Sequence, residues 1–298
     1  MRIGLYNLEP KIFNTAMMQI SHYYKSLGNT VERYNHLFHD EYDWIYAFSL
    51  FDFTDKSMVT KDMICGGTGF DIEKHLPTAI EESDLDYSIF PNCKTSYIWF
   101  SRGCIRDCPW CVVKRKEGLL KSVNPKNLNP NGEYITIMDN NFFANPEWEK
   151  AIDWLKEKKQ KVIIEQGFDA RIIDKEMATA LNSLKHEKTI KFAWDNPKDD
   201  LREHLELLVS VIKSYKLMCY VLIGFNSTEE EDLFRMNTLW KEYKIVPFVM
   251  PYVKKDYYQR HFARYCNHKA IFKSHTWEEY QARYMKKNWR ELITDGKV

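Results

Sequence analysis

From Thr95 onward the chain alternates strand-like and helix-like segments with a regularity that few folds accommodate. Strand patterns fall at 96–101, 134–138, 161–165, 189–193, 218–224 and 247–252. Helical spacing fills the intervals at 109–116, 146–158, 174–184, 200–215 and 228–242. Strands joined through helices run parallel, because each helix returns the chain to the end where the next strand begins. Six such units in residues 95–253 predict a partial (β/α)6 TIM-like barrel, or else an open parallel sheet. Upstream, strands at 2–6, 31–34, 44–48 and 63–65 and a helix at 14–26 form a small Rossmann-like α/β unit. The last of these strands runs into Gly66-Gly67-Thr68-Gly69, where the chain must turn sharply. The expected organisation is an N-terminal domain and connector over 1–94, the barrel over 95–253 and a helical C-terminal tail over 254–298.

At 298 residues, 44% hydrophobic and 29% charged, the composition is that of a globular chain with a sizeable core, not of a disordered or collagen-like one. Apolar runs such as 221–225 and 247–253 are far shorter than the ~20 residues of a membrane helix. The first residues, MRIGLYNLEPKIF, lack the apolar core and cleavage site of a signal peptide. The expected setting is therefore cytoplasmic, with no membrane partner. Forty-three Lys and Arg against 42 Asp and Glu give no whole-molecule pull toward a polyanion. The tail differs: residues 254–290 hold ten Lys and Arg, three Asp and Glu, and nine aromatics.

In parallel β/α arrays, functional groups collect where strands end and the following loops begin. Here those positions read Ser101-Arg102-Gly103-Cys104, Asp139-Asn140-Asn141, Glu165-Gln166-Gly167, Trp194-Asp195-Asn196 and Gly224-Phe225-Asn226. All are polar or glycine-bearing, as one shared rim site requires.

Seven cysteines, an odd number, do not make a disulfide framework in a reducing compartment. Three of them fall in eight residues, Cys104-Ile-Arg-Asp-Cys108-Pro-Trp-Cys111. Closely spaced thiolates suit a soft metal or an iron–sulfur cluster. Three ligands on a four-iron cluster leave one iron open, whereas structural zinc would need a fourth ligand. His75, Cys65 or Cys266 would have to supply it from a distance.

The Cys-x3-Cys-x2-Cys spacing after a strand, with Gly103 before the first cysteine and Trp110 before the last, resembles the signature of the radical S-adenosylmethionine (SAM) superfamily. The likeness covers 104–111 and, more loosely, the β/α units to 253. It implies an oxygen-sensitive enzyme in which Cys104, Cys108 and Cys111 hold a 4Fe–4S cluster. The open iron chelates SAM, and an electron splits the sulfonium to give a 5′-deoxyadenosyl radical that abstracts hydrogen from a substrate. It further implies Trp110 beside the adenine, and Asp139 and Asn140 at the SAM amino group. This chain departs there from the common Gly-Gly-Glu. Arg171 is implied at the carboxylate, Asp195 at the ribose, and Gly224 on the strand beside the adenine. Glu165 and Gln166 face the same rim as candidate substrate contacts. Each has a structural counterpart: a core aromatic for Trp110, a turn or cap for 139–141, a surface ion pair for Arg171, and an N-cap for Asp195.

The N-terminal unit resembles the cobalamin-binding domain of one branch of that superfamily. It lacks the Asp-x-His-x2-Gly motif, so cobalamin is not expected and the unit reads as a degenerate scaffold or a lid. Methylthiotransferases carry three further N-terminal cysteines, whereas this region offers only Cys65 and Cys93. The expected partners are SAM and a reducing electron donor such as flavodoxin or ferredoxin. The substrate is left open among an RNA base, a peptide side chain and a small metabolite. The alternative is a non-catalytic zinc- or iron–sulfur-binding module whose basic, aromatic tail contacts nucleic acid. Against a nucleic-acid tail, Trp277, Tyr280 and Tyr284 recur at the spacing of a packed helix face, with Lys286, Lys287 and Arg290 solvated.

Overall fold

The computed structural model describes residues 1–286 and 290; residues 287–289, Lys287 among them, and 291–298 lie outside the described residues. The chain is a mixed α/β protein with several parallel sheets and a helical C-terminal region. It divides into two compact units, Met1–Asp107 with Cys111–Thr136, and Cys108–Trp110 with the chain from Ile137 onward.

In the first unit, β1 (Arg2–Asn7), β2 (Thr30–Arg33), β3 (Trp44–Phe48) and β4 (Ile64–Gly66) form a parallel sheet in the order β2-β1-β3-β4. Helix α1 (Thr15–Ser26) starts where the Asn14 side chain accepts the Ala16 and Met17 amides. It buries Met17, Met18, Ile20, Ser21 and Tyr24, the stripe of a helix laid on a core. Strand order reverses direction at β1 and β3, the point where parallel sheets open a crevice at their carboxyl ends. Here that crevice is filled from within. The Glu9 carboxylate accepts the Leu50 amide at 3.1 Å, Ser49 Oγ at 2.9 Å and Thr54 Oγ1 at 2.6 Å. A Cβ on Gly67 or Gly69 would collide with the backbone of Ser49 or Phe51. The glycines of this turn are thus accounted for by close approach of the chain's own backbone.

The connector carries α2 (Thr78–Glu81), and Asn127 and Asn129 tie it down through bonds to Leu85 and to the backbone of 93–95. The single strand expected over 96–101 is broken into β5 (Thr95–Ile98) and β6 (Ser101–Arg102). β6 pairs antiparallel with β7 (Lys121–Ser122), closing the cysteine loop at its base. The helix expected over 109–116 is only α3 (Val113–Glu117), since the Val113 amide is given to the Cys111 sulfur. β5 neighbours β8 (Tyr134–Ile137), and the Thr95 and Thr136 hydroxyls meet at 2.6 Å.

In the second unit, β9 (Lys161–Ile164) follows α4 (Trp148–Lys158), and the Glu165 amide donates to the Ile137 carbonyl. A two-residue strand that the sequence pattern did not predict, β10 (Phe168–Asp169), begins a second parallel sheet. It continues through β11 (Ile190–Ala193), β12 (Leu217–Ile223) and β13 (Val246–Pro251). Along β12, Cys219, Val221 and Ile223 are buried while Met218, Tyr220 and Leu222 on the other face are half-buried. The connecting helices are α5 (Lys175–Ser183), α6 (Arg202–Val211) and α7 (Glu229–Asn237). α6 stops four residues before the expected 215 because Ile212 turns extended. α7 begins in a capping box of Thr228 and Glu231.

The tail folds as α8 (Tyr257–Asn267), α9 (Lys269–Ser274) and α10 (Trp277–Tyr284). Trp277 and Tyr280 are buried, with Trp277 edge-on to Phe262 at 5.0 Å and Tyr280 5.3 Å from Tyr265. These two rings are engaged in packing and are not offered for stacking on bases. No helix among the described residues is long and apolar enough to cross a membrane.

One ionic contact of the first unit has a pH signature. Burial pushes the Asp86 carboxyl up, but Lys25, Ser21 and Ser88 outweigh it and hold the group at about 2. A carboxyl depressed by folding contributes stability above its unfolded pKa and loses it as pH falls through the folded one. Between pH 4 and 2 the wild-type protein should therefore lose stability more steeply than Asp86→Asn, as chemical denaturation across that range will measure.

Candidate functional site

The cysteine loop is fastened at its root. Gly103 has φ +78°, and a Cβ there would strike the Leu119 carbonyl. Its amide donates to Glu117 Oε2 at 3.0 Å. The same carboxylate takes both nitrogens of a bidentate contact from Arg102, at 3.1 and 3.0 Å. Two sulfurs accept backbone amides, Cys104 from Arg106 at 3.4 Å and Cys111 from Val113 at 3.5 Å. The helix that follows touches the glycine turn of the N-terminal sheet, where Lys116 Nζ reaches Thr68 Oγ1 at 3.2 Å. Cys104 and Cys111 belong to the first compact unit and Cys108 to the second. Among the described residues, no three His, Cys, Asp or Glu side chains form a metal-holding group.

The second unit carries the ends of β11 and β12. After Ala193 the β11–β12 ladder makes one more backbone bond, Trp194 N–H to the Tyr220 carbonyl at 2.8 Å. The Asp195 side chain then replaces a main-chain acceptor, Oδ1 taking the Leu222 amide at 3.1 Å. Regular pairing of β11 with β12 stops at this residue. The Trp110 indole also hydrogen-bonds Asp195, whose pKa is raised chiefly by burial. Trp110 stands edge-to-face against Phe225 at 5.4 Å, and Phe225 against Tyr252 at 4.9 Å. Trp110 precedes α3 and is half-buried, so it is not the core aromatic of a first helix.

The other expected residues are more committed to their own chain. Asp139 is fully buried and Asn140 half-buried, and Asn141 Oδ1 accepts the Asp169 amide at 3.2 Å. Arg171 is held by Asp169 at 2.7 and 3.0 Å and by Asp199 at 2.8 Å. Its pKa is raised first by Asp169, with the Cys108 sulfur within electrostatic reach. At Gly224, φ is +77°, and a Cβ would overlap the Gln259 amide, so a protein side chain is what approaches this glycine. Glu165 pairs with Lys191 at 3.0 Å, while Gln166 is exposed.

Three groups were not singled out from the sequence: Lys191, Glu117 and the buried pair Asp232–Arg235. The signal for the last was available. Asp232, Arg235 and Met236 share the buried face of α7, where a charged pair is out of place.

Glu117→Ala should destabilise the protein by about 2–3 kcal/mol, the range for hydrogen bonds to charged groups, with faster amide exchange at Gly103. Exchange unchanged at Gly103 would show that the loop is fastened elsewhere. In comparison with known proteins, no protein-family model matches this chain, and no curated protein matches it.

Proposed function

We propose that this protein is a radical SAM enzyme. The observation that carries the reading is the meeting of Trp110, Asp195 and Phe225, contributed by three separated loops. Trp110 is the aromatic of the cysteine signature, Asp195 ends the fourth strand of the β/α series, and Phe225 follows the fifth. The residue types are those of a cluster loop: three cysteines lie on one loop fastened at its root, and Cys104 and Cys111 receive backbone amides, although the three sulfurs are not gathered into a metal-holding group in this structure.

In this reading Cys104, Cys108 and Cys111 would hold a 4Fe–4S cluster, and the parallel strands belong to a partial (β/α)6 barrel. Bound there, the cluster and SAM would supply a 5′-deoxyadenosyl radical able to abstract hydrogen from a substrate. The chain's own residues orient the cofactor. Trp110 and Phe225 offer aromatic surface to an adenine. The Leu222 and Trp110 donors use two of about four acceptor positions on the Asp195 carboxylate, leaving others for ribose hydroxyls. Asp139 and Asn140 would accept from the amino group. Arg171 would take the carboxylate in exchange for Asp199, the more exposed of its two partners. Glu165 and Lys191 would face the substrate, whose identity is left open. A cytoplasmic setting and a donor such as flavodoxin or ferredoxin complete the reading.

Anaerobic reconstitution, chemical reduction and addition of SAM should yield 5′-deoxyadenosine, falling to background in Cys104→Ala, Cys108→Ala and Cys111→Ala. Cys108→Ala cleaving SAM at the wild-type rate would overturn the assignment. Trp110→Ala should raise the KM for SAM roughly tenfold, as loss of one stacking partner worth about 1–3 kcal/mol implies, with unfolding temperature little changed.

A further inference from the structure

The pair Asp232–Arg235 on α7 bonds the backbone where regular β11–β12 pairing stops. Both side chains are 0% exposed and meet at 2.5 Å. Arg235 Nη1 donates to the carbonyls of Trp194 at 2.9 Å and Asp195 at 3.2 Å, and Nη2 to that of Leu222 at 3.1 Å. Asp232 accepts the Tyr258 hydroxyl at 2.8 Å and a bond from Ser227. Ser227 Oγ in turn accepts the Gly224 amide at 3.1 Å. One buried charge network therefore grips the backbone where regular pairing of β11 and β12 stops.

Burial of an ion pair is a poor device for stability, since apolar residues of similar volume serve as well or better. Apolar residues cannot supply donors to three backbone carbonyls left outside the regular ladder. The network also leaves Arg235 Nε buried without a partner, an unfavourable choice for a purely structural bolt. We infer that Arg235, oriented by Asp232, is a positioning residue for the proposed adenosyl site: by holding the carbonyls of Trp194, Asp195 and Leu222 it sets Asp195, and through Asp195 the Trp110 indole. This role rests on the radical SAM reading.

The test replaces the pair by Asp232→Leu with Arg235→Met in the full-length, anaerobically reconstituted protein. SAM affinity is measured by equilibrium dialysis and the Leu222 amide by hydrogen exchange. The Leu222 amide is the hydrogen given to Asp195, so its exchange reports on that carboxylate without any cofactor. The expected result is an unfolding temperature close to wild type, a SAM Kd raised tenfold or more, and at least tenfold faster exchange at Leu222 with Leu5 unchanged. A Kd within twofold of wild type, or unaltered exchange at Leu222, overturns the inference and leaves the pair a bolt. Should the double variant fail to fold, Arg235→Lys keeps the charge facing Asp232 but loses the planar fork. A threefold or greater loss of SAM affinity then supports the role, and wild-type affinity overturns it. Wild-type protein that takes up no SAM defeats the radical SAM reading itself, and the role with it. That failure is distinguished by appearing before any substitution.

Discussion

A guanidinium removed from water must recover its hydrogen bonds inside the protein, and that requirement organises the second unit. Arg235 recovers most of them from three carbonyls and one carboxylate. The carbonyls lie where regular pairing of two strands stops. Asp195 takes over there, its side chain accepting the Leu222 amide in place of a main-chain carbonyl of the neighbouring segment. Trp110 then closes on Asp195 and Phe225. A buried electrostatic constraint in one helix is thereby expressed as the position of a carboxylate and an indole at the rim.

The first unit solves a comparable problem differently. Its parallel sheet has the strand order that opens a crevice, but Glu9 occupies it and Gly67 and Gly69 let the neighbouring loops close over it. There the carboxylate, hydroxyls and amides satisfy one another. The same unit carries the root of the cysteine loop, where Glu117 joins Arg102 to Gly103 and Lys116 meets Thr68. The arrangement steadies the cysteine loop at its root.

Periodicity made much of this legible. The strands β3, β8, β9, β11, β12 and β13 fall within a residue or two of the expected spans, because apolar runs bounded by turn residues leave little latitude. Helix ends were less visible where side chains compete for amides, as at Cys111 and Val113, or where one residue turns extended, as at Ile212. β10 escaped because two residues carry no period. At the site, types of residue were legible and pairings were not. The sequence marks Arg171 and Gly224 as notable but does not say that Asp169, Asp199 and Gln259 already face them. Asp195 and Trp110 are 85 positions apart, and only the fold brings them together.

The central claim is that the three cysteines hold a four-iron cluster with one iron open to SAM. Electron paramagnetic resonance of the anaerobically reconstituted, reduced protein, recorded with and without SAM, addresses it most directly. The account predicts the signal of a reduced 4Fe–4S cluster whose g values shift when SAM is added and do not shift with methionine-free adenosine. Protein that binds zinc and assembles no cluster, or a reduced cluster whose spectrum is indifferent to SAM, would contradict it.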